Sequence, residues 1–442
     1  MTKSKFKGGV HQTDGFDKRL TQGRDIVFYI PEFVEVSMKQ GLGPACKCVV
    51  SVGDEVSQSQ LIGEASHFLS ANVHSPVTGT VLETSETSCK ISVKECKLPS
   101  KDSEYNLKWM DISAFSKDEI IDSIAKAGIV GMGGAGFPAA VKYQTKSPIT
   151  HLLINAAECE PYLTCDEHNI LEFGMSFLNG VQLLKKASGA ENAVICIEDN
   201  KPHCVEKLNE LLKGHESEIS VLSLPTRYPQ GGEKQLIFAA MGVEIPSGKL
   251  PADVGAIVSN VHTAKAVADM VLGEIPSICR TITVSGDVEE PLNYLVPIGT
   301  CIGELVEKSG DVSKGCNRVI LGGPMTGRCV GVNLKAKDIT DCVSKVSGGL
   351  VVLEGKVFEE SACIKCGACV EACPIGLNPT KIDYSIRKND LNTCQSLDAT
   401  ECIACGCCSY VCPARRELTY HTVLARDSVR AKMREEAANN GK

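Results

Sequence analysis

Cys363-Ile-Lys-Cys366-Gly-Ala-Cys369-Val-Glu-Ala-Cys373-Pro374 and Cys402-Ile-Ala-Cys405-Gly406-Cys407-Cys408-Ser-Tyr-Val-Cys412-Pro413 share one spacing, C-x2-C-x2-C-x3-C-P. Three thiolates, each two residues from the next on a tight loop, face the corners of one iron–sulfur cube. The fourth lies a helical turn later, points the other way and ligates the second cube. Cys363, Cys366, Cys369 and Cys412 are therefore read as holding one [4Fe–4S] cluster, and Cys373, Cys402, Cys405 and Cys408 the other. Gly367 and Gly406 let each loop wrap closely, and Pro374 and Pro413 redirect the chain after the fourth ligand. The bland alternative is a pair of zinc knuckles, which the identical doubled spacing disfavours. Cys407 and Cys394 are read as packing residues. A protein built this way moves electrons one at a time.

Working outward, 442 residues suggest three or four domains at roughly 100–150 residues each. A net charge of −8 and only 5% aromatic residues argue against nucleic-acid binding. No apolar stretch is long enough to span a bilayer, and the polar, basic start lacks a leader's apolar core. The expected location is cytosolic, peripheral on the cytoplasmic face of the cell membrane if a partner docks it there. Twenty-three cysteines in a reducing compartment call for ligand or packing roles, because disulfides are disfavoured there.

Six segments are expected. Residues 1–30 form an N-terminal extension. Residues 31–115 hold short strands broken by Gly/Asp turns, such as Cys48–Val56 and Ala71–Val81. This segment resembles the barrel-sandwich hybrid of lipoyl domains, but Ser66 to Asn72 lacks a carrier lysine, so it is structural. Residues 116–275 alternate helices (Asp118–Ala127, Met175–Ala187) with apolar strands (His151–Asn155, Ala193–Ile197), the arithmetic of a Rossmann-like α/β domain. Residues 276–350, with strands at Arg280–Ser285, Pro297–Thr300 and Arg318–Leu321, resemble a β-grasp module of the soluble-ligand-binding type. Residues 351–415 form the two-cluster, ferredoxin-like domain, its runs joined by a helix over Pro379–Lys388. Residues 416–442 are a tail in which Tyr420, Val423, Leu424 and Val429 make a candidate apolar stripe.

A glycine loop, Gly131-Met-Gly133-Gly134-Ala-Gly136-Phe137-Pro138, can bring backbone N–H groups close to a phosphate. It does not open a helix straight after a strand, so it is not the Rossmann fingerprint. It is followed by Asn155-Ala-Ala-Glu158-Cys159-Glu160-Pro161, Tyr228-Pro-Gln-Gly231-Gly232-Glu233 and Ser259-Asn260-Val-His262-Thr263. Together, in this order, these segments resemble the flavin- and NADH-binding subunit family of respiratory complex I. With the N-terminal module, opening at Phe6-Lys-Gly-Gly-Val-His11, and the two clusters, nearly the whole chain resembles the RnfC family of the Rnf complex. That complex is the membrane ferredoxin:NAD+ oxidoreductase.

The resemblance implies FMN and NAD(H) as further cofactors, other Rnf subunits as partners, and ferredoxin as an indirect one. Gly131, Gly133, Gly134 and Gly136 would line FMN and nucleotide phosphates, Lys142 would pair with a phosphate, and Phe137 would stack near the nucleotide. Asn155 and Glu158 would meet FMN or the nicotinamide side, and Glu160 the NADH. Gly232 and Glu233 would approach the isoalloxazine, and Asn260 and Thr263 the FMN tail. Glu158 and Glu160, two apart after a strand, would share a face if the strand continued. The implied activity is ion-translocating ferredoxin:NAD+ oxidoreduction, a translocase reaction, with no catalytic acid or base. Four positions depart from the complex I pattern. Ala140 and Cys159 stand for glycines, Ala157 for an aspartate and His262 for a glutamate. Two rivals share parts of this pattern: a soluble cobalamin reductase, whose chains begin at the glycine loop, and a wiring subunit with clusters but no flavin.

Overall fold

The structure, a computed structural model, describes residues 5–11, 18–310, 316–332, 335–355 and 358–440. Residues 1–4 and 12–17 of the expected N-terminal extension, and 441–442 of the tail, lie outside the described residues. At the centre is a four-stranded parallel sheet. Its order is Ile219–Leu224, Asn192–Glu198, His151–Ala156, Ala256–Asn260, which in chain sequence is 3-2-1-4. These strands are apolar on both faces because helices cover both, as parallel sheets require. Helix Lys117–Lys126 starts at a capping box between Ser116 and Glu119. Helices Gly174–Ser188 and Val261–Gly273 cross closely at Gly180, where a Cβ would lie 1.8 Å from the Ala264 carbonyl oxygen.

Ahead of this domain, a four-stranded antiparallel sheet (Phe33–Ser37, Ser88–Ser92, Gly79–Thr84, Glu55–Val56) faces a three-stranded one (Lys47–Cys48, Leu61–Glu64, Val73–His74). Val34, Val36, Met38, Ile62, Val81 and Ile91 fill the space between them. Beyond the central domain, six strands form a mixed sheet, Val27–Phe28, Leu292–Pro297, Cys279–Gly286, Gly349–Glu354, Cys316–Leu321, Arg328–Val332, with helix Ile302–Lys308 against it. The strand expected at Pro297–Thr300 lies earlier, at Leu292–Pro297, because Gly299 turns the chain at φ +91°. Buried Lys345 joins all three regions, donating to the carbonyls of Asn72 and Gly128, each at 2.7 Å.

The C-terminal region packs helix Pro379–Ile386 against the long helix Leu418–Asn440. Of the apolar stripe expected in the tail, only Val429 is fully buried. Leu418, Thr422, Ala425 and Val429 are buried, whereas Tyr420 and Leu424 are exposed. The true stripe follows the 3.6-residue period through a threonine, which hides its hydroxyl by bonding the Leu418 carbonyl at 2.7 Å. No helix among the described residues is long and apolar enough to cross a membrane.

Candidate nucleotide and cluster sites

The glycine loop is pinched at its base by a bridge between Val130 and Pro138 and by the Gly131 N–H bonding the Phe137 carbonyl at 2.8 Å. Its back is closed: a Cβ on Gly133 would lie 2.9 Å from the Asn260 side chain, and one on Gly136 2.7 Å from Gly41 Cα. Its front is open, since a Cβ on Gly134 would meet nothing within 4 Å. Thr263 braces the loop from behind, accepting the Met132 N–H at 3.0 Å. Arg280 does the same from the mixed sheet, donating to the Met132 carbonyl at 3.0 Å while its buried Nη1 has no partner among the described residues. An open face of backbone over a buried guanidinium suits a phosphate, so the residues present fit the phosphate end of a flavin nucleotide. Phe137 is half-buried beside this face.

In a 3-2-1-4 sheet the order reverses between the first and fourth strands, and ligands bind at their carboxyl ends. Asn155 and Asn260 are register partners at that point. Asn155 donates to the Gly231 carbonyl at 2.8 Å, holding the Gly231-Gly232 turn that opens helix Glu233–Met241. Lys142 bonds the Val258 carbonyl at 2.9 Å and stands 3.7 Å from the Glu233 carboxylate. The glycine loop, Asn155, Lys142, Gly232, Glu233, Asn260 and Thr263 are thus gathered at one end of the sheet. Asn260 caps helix Val261–Gly273 and donates to Asp166 at 2.8 Å. His262 bonds Asp166 through Nδ1 at 3.0 Å and Asn169 through Nε2 at 2.9 Å. Burial lowers its pKa to about 4, so the ring is neutral, with Nδ1–H assigned as donor to the carboxylate.

The two acids do not share a face. The strand ends at Ala156 and Glu158 takes φ +44°, which breaks the two-residue alternation. The Glu158 carboxylate turns inward and accepts the N–H groups of Asp166 and Glu167 at 2.7 and 3.2 Å. Burial raises its pKa to about 7, against the attraction of Lys18. The Glu160 carboxylate accepts from the Met325 N–H at 3.1 Å and the Thr326 hydroxyl, tying the loop to the turn at 322–327 of the mixed sheet. Two buried lysines that sequence reasoning did not single out hold this loop. Lys18 donates to the carbonyls of Glu158, Glu160 and Leu163 at 2.7, 2.8 and 2.5 Å. Lys201 donates to the Ala157 carbonyl at 2.8 Å. Nothing local marks Lys18, a basic residue in a polar segment.

The cysteines gather in two places. An open cavity of about 1150 Å³ is lined by Cys363, Cys366, Cys369 and Cys412, with Thr380 and Arg416 on its wall. A much smaller pocket is lined by Cys373, Cys402, Cys405 and Cys408, with Cys407. Cys394 and Cys407 are fully buried and pack as expected. The tight pocket adjoins the central domain: the Tyr228 hydroxyl donates to the Cys405 carbonyl at 2.7 Å, and Lys234 pairs with Glu401 at 2.8 Å. Four sulfurs around each space fit a [4Fe–4S] cluster in each.

Four domain families match in order. They are the RnfC barrel sandwich hybrid domain at 4–97, the Nuo51 FMN-binding domain at 124–269, the SLBB domain at 281–328 and a 4Fe-4S dicluster domain at 362–415. The chain is 37% identical over 406 residues to the C subunit of the proton-translocating ferredoxin:NAD(+) oxidoreductase complex of Clostridium ljungdahlii, covering 88% of this chain and 86% of that one. It is 36% identical over 447 residues to the Na(+)-translocating counterpart of Acetobacterium woodii, covering 97% and 98%. The chain belongs to the RnfC family.

Its fold class is that family's, with a barrel-sandwich hybrid, an FMN-binding domain, an SLBB domain and a dicluster domain. A solved NAD+-reducing [NiFe]-hydrogenase chain shares the fold at TM-score 0.53 and 19% identity, over 67% of this chain and 57% of that one. Within the RnfC frame one of the complex I departures has a local explanation. Cys159 accepts the Gly231 N–H at 3.3 Å and packs against Tyr228 and Cys407, so the side chain absent from a glycine here fills the seam toward the tight cysteine pocket.

Proposed function

We propose that this chain is the NAD(H)-side electron-transfer subunit of an Rnf-type ferredoxin:NAD+ oxidoreductase, peripheral on the cytoplasmic face of the membrane. The observation that carries it is the seam between the nucleotide-loop domain and the tight cysteine pocket, made by Tyr228, Lys234 and Cys159. A flavin, when bound, supplies the conversion between a hydride's two electrons and the single electrons of clusters. The chain's own residues bind and orient. Gly131, Gly133, Gly134 and Gly136 present backbone, and Lys142 supplies a point charge for phosphate. Asn155, Gly232, Glu233, Asn260 and Thr263 set the floor beneath the ring and tail, with Phe137 at the nucleotide's edge. Glu158 and Glu160 shape the nicotinamide-side loop.

Cys373, Cys402, Cys405 and Cys408 would hold the inner cluster, and Cys363, Cys366, Cys369 and Cys412 the outer one. The outer cavity is the face offered to the other subunits, through which ferredoxin's electrons arrive. Lys365, Lys381, Lys388 and Arg416 outnumber Asp383 and Asp390 around it, which favours an acidic partner surface. The two similar relatives are named for different coupling ions, so membership of the family does not fix the ion. The test is Gly134→Val, which puts a branched side chain into the open front of the loop. Bound flavin should fall at least tenfold while iron per chain stays unchanged. Full flavin content in that variant would move the site elsewhere.

A further inference from the structure

Away from both sites, two thiols face each other in the mixed-sheet domain. Cys301 and Cys342 form an antiparallel bridge. Backbone bonds flank them, from the Ile302 N–H to the Asp341 carbonyl and from the Val343 N–H to the Thr300 carbonyl, both 2.9 Å. That is the non-hydrogen-bonded register of an antiparallel pair, in which Cα atoms approach to about 4.5 Å. Disulfides span about 4.4–6.8 Å between Cα atoms. Both cysteines are free and partly open to solvent, and each thiol donates to a nearby carbonyl, Cys301 to Ile339 at 3.1 Å and Cys342 to Thr340 at 3.5 Å. The N–H groups of Gly303 and Glu304 also point at the Cys301 sulfur. The Cys342 contact, helped by these amides and opposed by burial, lowers the Cys301 thiol to about 6, and the same contact raises Cys342. A second adjacent pair outside the cluster region, Cys48 and Cys89, lies in the barrel-sandwich core, where burial pushes Cys89 up to about 12.

We propose that Cys301 and Cys342 are a dithiol–disulfide exchange site, oxidised to a cross-link by low-molecular-weight disulfides. Cys301, as thiolate, attacks one sulfur of the reagent, forms a mixed disulfide and releases one reagent thiolate. Cys342 gives its proton to solvent, attacks the Cys301 sulfur and displaces the second reagent thiolate. Two electrons pass from the protein's sulfurs to the reagent. The two protons lost by the cysteines end on two reagent thiols. The cross-link closes the segment 301–342. That segment contains the turn whose Met325 and Thr326 hold Glu160, and whose Met325 carbonyl lies against Gly406 of the cluster loop. Oxidation therefore staples the part of the fold that touches both the nucleotide loop and the inner cysteine pocket.

The experiment uses the holoprotein under anaerobic conditions, with oxidised glutathione as the probe. It is followed by alkylation, digestion and mass spectrometry, with iron counted before and after. The expected result is a peptide joined through Cys301 and Cys342 in most of the chains, reversed by dithiothreitol, at unchanged iron. In Cys342→Ser the reaction should stop with glutathione on Cys301. The proposal is overturned if both cysteines of the wild type are recovered alkylated. It is also overturned if glutathione reaches Cys342 in Cys301→Ser as fast as Cys301 in Cys342→Ser.

Discussion

The two cysteine-lined spaces come from the same twelve-residue pattern used twice, yet they sit in opposite surroundings. One is a wide cavity whose Cys363 and Cys366 are exposed. The other is a tight pocket backed by Tyr228, Cys159 and the 322–327 turn. The ligand pattern does not make this difference. The neighbouring domain does, by covering one half and leaving the other bare. On the function proposed above, the covered half would serve the nucleotide side and the bare half the other subunits.

The largest effect that tests this contrast is the loss of one set of ligands. Cys366→Ala should take iron from about eight to about four per chain. The fall in thermal midpoint should be small and the NADH-driven reduction of a small dye should hold, because among the described residues none of the central domain lines this cavity. Cys405→Ala should lose the same iron and also lower the midpoint and the dye reduction. If both variants behaved alike, the division would be wrong.

Lys18→Met should come next. It leaves three buried carbonyls without their cation, and bonds to charged groups are worth about 1.5–3 kcal/mol. A loss of about 3 kcal/mol by denaturant titration is expected, with weaker flavin retention and unchanged iron. Iron loss matching the flavin loss would show that the loop supports the covered pocket as well. The smallest effect is Tyr228→Phe, which removes one bond to the Cys405 carbonyl. About 1 kcal/mol is expected, together with faster chelation of half the iron. Uniform release of all the iron would argue against a seam at Tyr228.

The gathering of the cysteines into two sets is legible in the sequence because each set is made almost wholly by neighbours along the chain, where spacing alone fixes geometry. Two helices and two parallel strands of the central domain, Lys117–Lys126, Gly174–Ser188, His151–Ala156 and Asn192–Glu198, are legible from apolar periodicity to within a residue or two; strand Ile219–Leu224 and helices Cys165–Glu172, Pro202–Leu211, Glu233–Met241 and Val261–Gly273 are not. The placement of Glu158 and Glu160 is not, because a positive φ at Glu158 ends the alternation without a glycine to announce it. Lys18 and Arg280 escape for another reason. Their partners lie far along the chain, 140 positions away for Lys18 and Glu158 and 67 and 148 for Arg280 with Ser347 and Met132, and a lone basic residue looks the same whether it is solvated or buried. The tail's true stripe is hidden because its inner face includes Thr422, a residue no apolar pattern counts.

The first described residues cross the seam. Val10 pairs with Tyr228, the Gly9 N–H bonds the Ala372 carbonyl at 2.8 Å, and a Cβ on Gly8 would lie 2.5 Å from the Cys373 carbonyl oxygen. Residues 8–10 are therefore clasped by a segment far along the chain, at 372–373. Contacts of such separation form late, after most chain entropy has been surrendered. Closure of this clasp is then a finishing step of folding, and the inner cysteines stay reachable by an iron donor until it happens.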